Sequence, residues 1–433
     1  MTAPGVDDLL LESPTRELWD PVRQTVDRAI QRQKTEEGLR REWQRPWEDP
    51  LPYYRQKFEA AGLGPAEMPD LSDIPRTTKN ELRQDVLAHP PFGSHRSIRL
   101  EHAARVGTST GTTGKPWLIL FTAHDLDEMI PNRLSWLWRN EIRHGSRLSH
   151  SWPMGLYPTG ALGGRDFLQL GVLEIPVGLP VDDATSDQHL ELWEILEPTA
   201  FMLTGSQIQI YEAAAQRVGK DLRDYLDGAP VMLSEAVCQF DGPRQRLEER
   251  YGIRIHNLSG ASEIPAFSNS TCRFNTGIHL TPGHHLIQVC DPATGKPVEP
   301  GERGTLVVSS FGLDAFFLRY DLEDIVVEAD GPCPCGETGQ RYTYLGRVAD
   351  RALVAGRTVL PLDVQLVLDE IDQPEFQLIP GESDELHVRV EVEPARTPVV
   401  ADALAAAFGV PVEIESVEPG SLPRAAFKPR RVG

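Results

Sequence analysis

Basic charge is in short supply in this chain. Its 43 lysines and arginines face 64 aspartates and glutamates, a formal balance of −21. Nucleic acids and anionic membrane surfaces are recognised through a basic footprint, so the balance argues against both as partners. A local cluster of donors can still hold a phosphate inside an acidic protein. Cysteine is sparse as well: five in 433 residues do not suggest a disulfide framework. Long apolar runs are missing. The most apolar late stretch, residues 399–412, is interrupted by Asp402 and is too short to span a bilayer. Residues 1–11 carry acids and lack both the basic lead and the apolar core of a secretory leader. The chain therefore reads as cytoplasmic. It contains no internal repeat and no low-complexity segment.

What is present is ordinary globular composition, 40% hydrophobic and 25% charged, in a length that suggests two or three domains. Residues 13–47 place Leu18, Val22, Val26 and Ile30 in a charged background, which suits an amphipathic helix. Residues 53–63 form a second helix candidate, ended by Gly62 and Gly64. Thr78, with Glu81 three residues on, has the form of a capping box. From Val106 to about Tyr320 short apolar runs alternate with helical patterns, the signature of an α/β domain with mainly parallel strands. From Thr305 the pattern turns β-rich, and after Asp350 a compact α+β unit follows. The expected fold is a large α/β domain over residues 1–348, with mainly parallel sheets and a β-rich lobe, and a small α+β domain over residues 349–433.

Five short elements carry the chemistry. The densest is Ser109-Thr110-Gly111-Thr112-Thr113-Gly114-Lys115-Pro116. Glycines let the backbone approach a polyphosphate, hydroxyls add donors, and the lysine adds a point charge. The run lies between an extended segment and Trp117-Leu118-Ile119-Leu120-Phe121, so it reads as a loop between two strands. A Walker loop would open a helix and carry Lys-Ser or Lys-Thr, not Lys-Pro. The second element, Ser259-Gly260-Ala261-Ser262-Glu263, follows a probable strand over residues 253–257 and offers Glu263 to a hard cation such as Mg²⁺. The third is Arg319-Tyr320-Asp321-Leu322-Glu323-Asp324, in which an aspartate can accept hydrogen bonds from vicinal ribose hydroxyls. The fourth is Gly346-Arg347-Val348-Ala349-Asp350, and the fifth is Leu422-Pro423-Arg424-Ala425-Ala426-Phe427-Lys428. Taken one at a time, the first, second, third and fifth read as a flexible loop, a helix cap, a solvated acidic loop and a surface lysine.

In this order and spacing the five elements resemble the adenylate-forming superfamily of acyl-CoA synthetases, adenylation domains and luciferases. Within it the chain is most similar to the phenylacetate–CoA ligase branch. Tyr53-Tyr54-Arg55-Gln56-Lys57-Phe58, Ile74-Pro75-Arg76-Thr77-Thr78-Lys79-Asn80-Glu81 and Pro91-Phe92-Gly93 also match that branch. The resemblance implies a two-step reaction. A carboxylate attacks the α-phosphate of ATP to give an acyl-adenylate and pyrophosphate, and a thiol, typically that of coenzyme A, then displaces AMP. It implies that Ser109 to Lys115 cradle the β- and γ-phosphates and that Glu263, beside Ser262, ligates Mg²⁺. Asp324 would hold the ribose with Arg347 beside it. Lys428 would reach in from a small mobile domain to stabilise the transition state. Adenine would be walled by Ser234, Glu235, Ala236 and Asn257, because Ser259 stands where the superfamily usually has a stacking tyrosine. The acid would lie against Tyr157, Gly205, Ser206, Gly260, Ala261 and Pro265. Two further departures matter. Ala349 replaces the acid about which the small domain pivots, which bears on the thioester step. Met154 replaces a tyrosine expected in the acyl region.

These matches imply an AMP-forming ligase acting on an aryl or arylalkyl acid, with coenzyme A as acceptor and a homodimer as the assembly. Transfer to an amine, a hydroxyl or a carrier-protein thiol is the alternative. A nucleotide-binding sensor without catalysis is a third reading, opposed by the joint presence of Lys115, Glu263, Asp324, Arg347 and Lys428. Finally, Cys272, His279, Cys333 and Cys335 offer the thiolates and imidazole that a structural Zn²⁺ prefers, with His284 and His285 as rival ligands. Cys238 and Cys290 lie in apolar contexts and read as core residues.

Overall fold

The computed structural model describes residues 17–49, 51–108, 117–157, 160, 162–372, 375–423, 427 and 431–433. Helices Arg28–Glu48 and Pro52–Ala60 lead into the main body. There Trp43, Tyr54 and Phe58 are fully buried together. Thr78 caps helix Lys79–Ala88 reciprocally with Glu81. Thr78 Oγ1 accepts from the Glu81 N–H at 3.2 Å, and Glu81 Oε2 accepts from the Thr78 N–H at 2.7 Å.

A twelve-stranded sheet organises the rest. Its parallel half runs in the spatial order Leu173–Ile175, Arg147–His150, Ala200–Thr204, Pro230–Ser234, Arg254–Gly260. Numbered along the chain this is 2-1-3-4-5, a doubly wound order whose ligand crevice lies off the carboxyl ends of the strands. Helices such as Asp183–Leu196 and Gly205–Arg217 make the crossovers. The strand Ala200–Thr204 is buried along its whole length, as a strand covered on both faces must be.

Beyond Arg254–Gly260 the sheet continues antiparallel through Ser268–Thr271, Ile278–His279, Arg341–Arg347, Tyr320–Glu328, Arg303–Ser310 and His285–Cys290. The change of direction comes well before Thr305, where the sequence pattern turns β-rich. The reason is length. Residues 261–267 are too few for a parallel crossover, which takes about a dozen residues or more, so the chain can only turn back on itself. The twelfth strand, Thr77–Thr78, pairs in parallel with Tyr320 and Asp321.

The C-terminal residues build a separate cluster. Strands Phe376–Leu378, Leu386–Glu391 and Val412–Val417 form a three-stranded sheet covered by helices Pro361–Glu370 and Thr397–Phe408. Val364, Leu368, Val388, Val390, Val400 and Leu404 fill its core. The single turn Val348–Asp350 joins this part to the large sheet. No helix among the described residues is long and apolar enough to cross a membrane.

Candidate active site

The carboxyl ends of the parallel strands gather the polar groups. Strand Arg254–Gly260 runs into the turn that carries Glu263, whose carboxylate is 4% exposed. Glycine is required at position 260: a Cβ there would stand 2.7 Å from the Phe267 carbonyl oxygen of the returning strand. Glu263 Oε1 accepts from the Tyr320 hydroxyl at 2.8 Å and lies 3.2 Å from Lys79 Nζ. Burial would raise the carboxyl pKa, but Lys79 and Tyr320 outweigh it and hold the group below its ordinary value. Lys79 is the mirror case. Burial pulls the ammonium down, while Glu263 and Asp324 together leave it above the usual lysine value.

Asp324 and Arg347 face each other in register on neighbouring strands, with Arg347 Nε 3.7 Å from Asp324 Oδ1. Glu263, Lys79, Asp324 and Arg347 thus form one alternating charge cluster. An ionised carboxylate is a ligand that a hard divalent ion takes, and Mg²⁺ at Glu263 would have to displace the Lys79 ammonium from Oε1. Lys79 did not emerge from the sequence as a site residue. It sits one position after a helix cap and looks like ordinary first-turn chemistry. The cue was the short strand Thr77–Thr78, whose pairing with Tyr320 and Asp321 delivers Lys79 to Glu263.

Ser234 ends its strand, and Glu235 and Ala236 lead into the short turn Ala236–Gln239. Asn257 on the next strand donates its side-chain N–H to the Glu235 carbonyl, so these residues do meet. Ser259 Oγ accepts from the Tyr342 hydroxyl at 2.9 Å. Gly205 lies against the Glu235 carboxylate, which a side chain at this position would have to displace. Gly205 and Ser206 line a cavity shared with Glu235 and Arg431. Tyr157, Gly260 and Ala261 line a different one. Pro265 belongs to neither; its carbonyl accepts from the His285 ring. The candidate phosphate loop, Ser109, Thr110, Gly111, Thr112, Thr113, Gly114 and Lys115, lies outside the described residues, as does Lys428. The strands Arg105–Thr108 and Leu118–Phe121 on either side of that loop pair antiparallel.

The cavity beside Tyr157 measures about 120 Å³. Helix Ala123–Arg139 supplies Arg133 and Trp136, the strand end supplies Ser259 to Ser262, and Phe121, Trp152 and Phe267 complete an aromatic lining. Met154, expected near the acid, is 39% exposed and off this wall. Phe427 closes an aromatic triad with ring centroids 5.6 Å from Trp152 and 5.4 Å from Tyr157. The segment that carries Phe427 is fastened on both sides. Glu391 accepts from the Gly420 and Leu422 N–H groups, and Arg431 pairs with Glu375 at 3.1 Å.

Apart from this site, Cys272, His279, Cys333 and Cys335 bring four ligand atoms within 4.8 Å of one another. Cys272 and Cys333 sulfurs are 3.6 Å apart, far beyond a disulfide and close to the ~3.8 Å edge of a tetrahedral thiolate site. The Cys335 thiol and then His279 pull Cys272 toward the thiolate. Neither rival histidine joins. His284 pairs with Glu128 at 2.9 Å, and burial pushes His285 down to about 3.

No family model matches the chain. The phenylacetate–coenzyme A ligase of Thermus thermophilus is 30% identical over 390 residues, covering 87% of this chain and 84% of that enzyme. The enzyme of the same name from Escherichia coli is 26% identical, with 88% and 90% covered. Among solved structures, a 2-hydroxyisobutyryl-CoA ligase in its postadenylation state has a TM-score of 0.85 at 24% identity, covering 98% of this chain and 93% of that one. The same ligase in its thioesterification state has a TM-score of 0.71 over 99% and 93%. The chain belongs to the phenylacetate–coenzyme A ligase branch of the adenylate-forming superfamily, a family of AMP-forming carboxylate ligases.

Proposed function

We propose that this protein activates an aryl or arylalkyl carboxylic acid with ATP and passes the acyl group to coenzyme A. The observation that carries this reading is the aromatic cavity, which is walled on one side by Ser259, Gly260, Ala261 and Ser262, the residues that lead into Glu263. The acid would lie in the cavity with its carboxylate toward the turn. Asp324 would accept from the ribose hydroxyls, with Arg347 beside it. Glu263 would hold Mg²⁺, which neutralises phosphate charge as the pyrophosphate leaves. Lys115 and the loop around it would cradle the outer phosphates, and Lys428 would meet the reacting carboxylate. Positioning and charge neutralisation do most of the work in such a reaction.

Residues 1–348 act as the large domain and 349–433 as the small one, with Val348–Asp350 as the joint. The separate core of the C-terminal part supports this division. The higher TM-score against the postadenylation state than against the thioesterification state supports a small domain seated for the first half-reaction. A structural Zn²⁺ would be held by Cys272, His279, Cys333 and Cys335, pinning the loop before strand Arg341–Arg347 to the sheet. It has no part in the chemistry.

The test is carboxylate-dependent ATP–pyrophosphate exchange over aryl, arylalkyl and aliphatic acids without coenzyme A, followed by addition of coenzyme A. Exchange confined to aryl and arylalkyl acids, with thioester formed on addition, is the expected result. ATP binding without exchange for any acid would refute the reading. Exchange without thioester would move the second step to another acceptor.

A further inference from the structure

The C-terminal part meets the large sheet through two kinds of contact. Leu360 and Leu362, at the start of helix Pro361–Glu370, are buried in one cluster with Ile325 and Leu345 of the large sheet. Three polar contacts accompany this apolar one, and in each the acid belongs to the C-terminal part. Arg303, the first residue of strand Arg303–Ser310, holds Asp363 with both arms of its guanidinium: Nη1 is 3.0 Å from Oδ2 and Nη2 is 2.9 Å from Oδ1. Asp363 Oδ2 also accepts from the Leu360 N–H at 2.9 Å, so one carboxylate caps the helix and grips the large sheet. Arg246, on helix Asp241–Tyr251, pairs with Asp369. Gln209, on helix Gly205–Arg217, donates to Glu375 Oε1 at 2.7 Å.

The two kinds of contact do different work. Apolar burial is non-directional, so it holds the two parts together without fixing the angle between them. A guanidinium forked onto a carboxylate has one preferred geometry. Asp363 lies near the start of helix Pro361–Glu370 and Asp369 near its end, about 9 Å apart along the axis. Two arginines on separate elements thus hold the helix at two points, and two points fix a direction. Neither pair is needed for folding. The arginine side chains are 47% and 52% exposed, such pairs contribute little stability, and the core of the C-terminal part is built without them.

We infer that Arg303 and Arg246 are positioning residues for the first half-reaction. By fixing the direction of helix Pro361–Glu370 they set how the C-terminal segment meets the large domain, with Phe427 against Trp152 and Tyr157 and Lys428 next along the chain. This rests on the ligase reading and the domain division proposed above. The two pairs have no part in the second half-reaction, for which the small domain turns about residues 348–350. Both are open to solvent and screened by salt, so ionic strength controls the partition between the half-reactions.

The experiment measures pyrophosphate exchange and, separately, release of AMP from a preformed acyl-adenylate by coenzyme A. The native chain is compared with the Arg303→Met/Arg246→Met double variant from about 0.01 M to about 1 M salt, over which the reach of a charge shortens about tenfold. At low salt the double variant should lose about 2- to 30-fold in exchange, the combined worth of two exposed pairs, and nothing in AMP release. The loss should shrink as salt rises, because the native pairs are screened while the variant has none to lose. Arg246→Glu should also lower exchange, and Arg246→Glu/Asp369→Arg, which restores the pair with its charges exchanged, should recover it. A loss independent of salt would mean damaged packing and overturn the inference. Equal loss in both half-reactions, no loss at all, or no recovery in the exchanged pair would overturn it too, each leaving the ligase reading intact. No exchange by the native chain with any acid would instead refute the ligase reading, and this inference with it.

Discussion

Phe427 reaches from the C-terminal segment to Trp152 and Tyr157, and its truncation to alanine tests how that segment is seated. Two edge-to-face contacts are lost. Each is worth ~0.5–1.5 kcal/mol beyond the area it buries, so the seated arrangement loses ~1–3 kcal/mol. That corresponds to a shift of about 5- to 150-fold between seated and released small domain. Only the half-reaction that uses the seated arrangement should suffer. Pyrophosphate exchange should therefore fall by roughly that factor where seating is limiting. Release of AMP from a preformed acyl-adenylate by coenzyme A should not fall with it. Phe427→Tyr, which keeps the ring, should behave as the native chain does in both assays. An equal fall in both half-reactions would mean general damage, and an unchanged exchange rate would mean that the triad does not seat the segment. Either result refutes the reasoning.

Lys79→Met removes the cation that holds the Glu263 carboxyl down, while its burial remains, so the pKa of Glu263 rises. The ionised form is then lost at a higher pH than in the native protein, and the acid limb of the exchange profile should move up; an unmoved limb would mean that Lys79 does not control Glu263. Arg139→Met breaks a doubly bonded, fully buried pair with Glu337, both of whose contacts measure 2.7 Å. Leaving Glu337 uncompensated should cost ~3–5 kcal/mol, read as a lowered urea midpoint at constant slope. Metal analysis should find zinc in proportion to chain, and Cys333→Ser should lower both the zinc content and the thermal midpoint; a zinc-free native preparation of full stability would dispose of the site.

Local signals carried well from sequence to structure. The Thr78–Glu81 cap, the strand Val412–Val417 and the turn after Gly260 all follow from chemistry within a few residues of themselves. The four zinc-type ligands were recoverable because cysteine is rare here and its neighbours are few. Lys79 and Arg133 were not, and for a common reason. Each sits on a helix whose local pattern is fully accounted for, by a cap in one case and an amphipathic face in the other. What gives them meaning lies far along the chain: Glu263 for Lys79, and the strand-end residues Ser259 to Ser262 across the cavity for Arg133. The early turn to antiparallel pairing escaped because it is decided by the length of residues 261–267 and not by their pattern. Gly205 and Ser206 follow a strand end as expected, but the Glu235 side chain stands against Gly205 and both residues face another cavity.

The Cys272, His279, Cys333 and Cys335 cluster has a practical consequence. Cys333 and Cys335 sit just ahead of the strand Arg341–Arg347, which ends in the partner of Asp324 and then runs into the turn Val348–Asp350. An ion held there would tension the strand that aims Arg347, so starving the cluster would slacken the nucleotide grip from a distance. Preparations grown in metal-poor medium would then look like a weaker enzyme with a high KM for ATP, although every residue touching ATP is intact. Were zinc to fill the cluster, trace-metal supply during expression would be a hidden variable in any kinetic comparison, and activity per mole of bound zinc a sounder unit than activity per mole of protein.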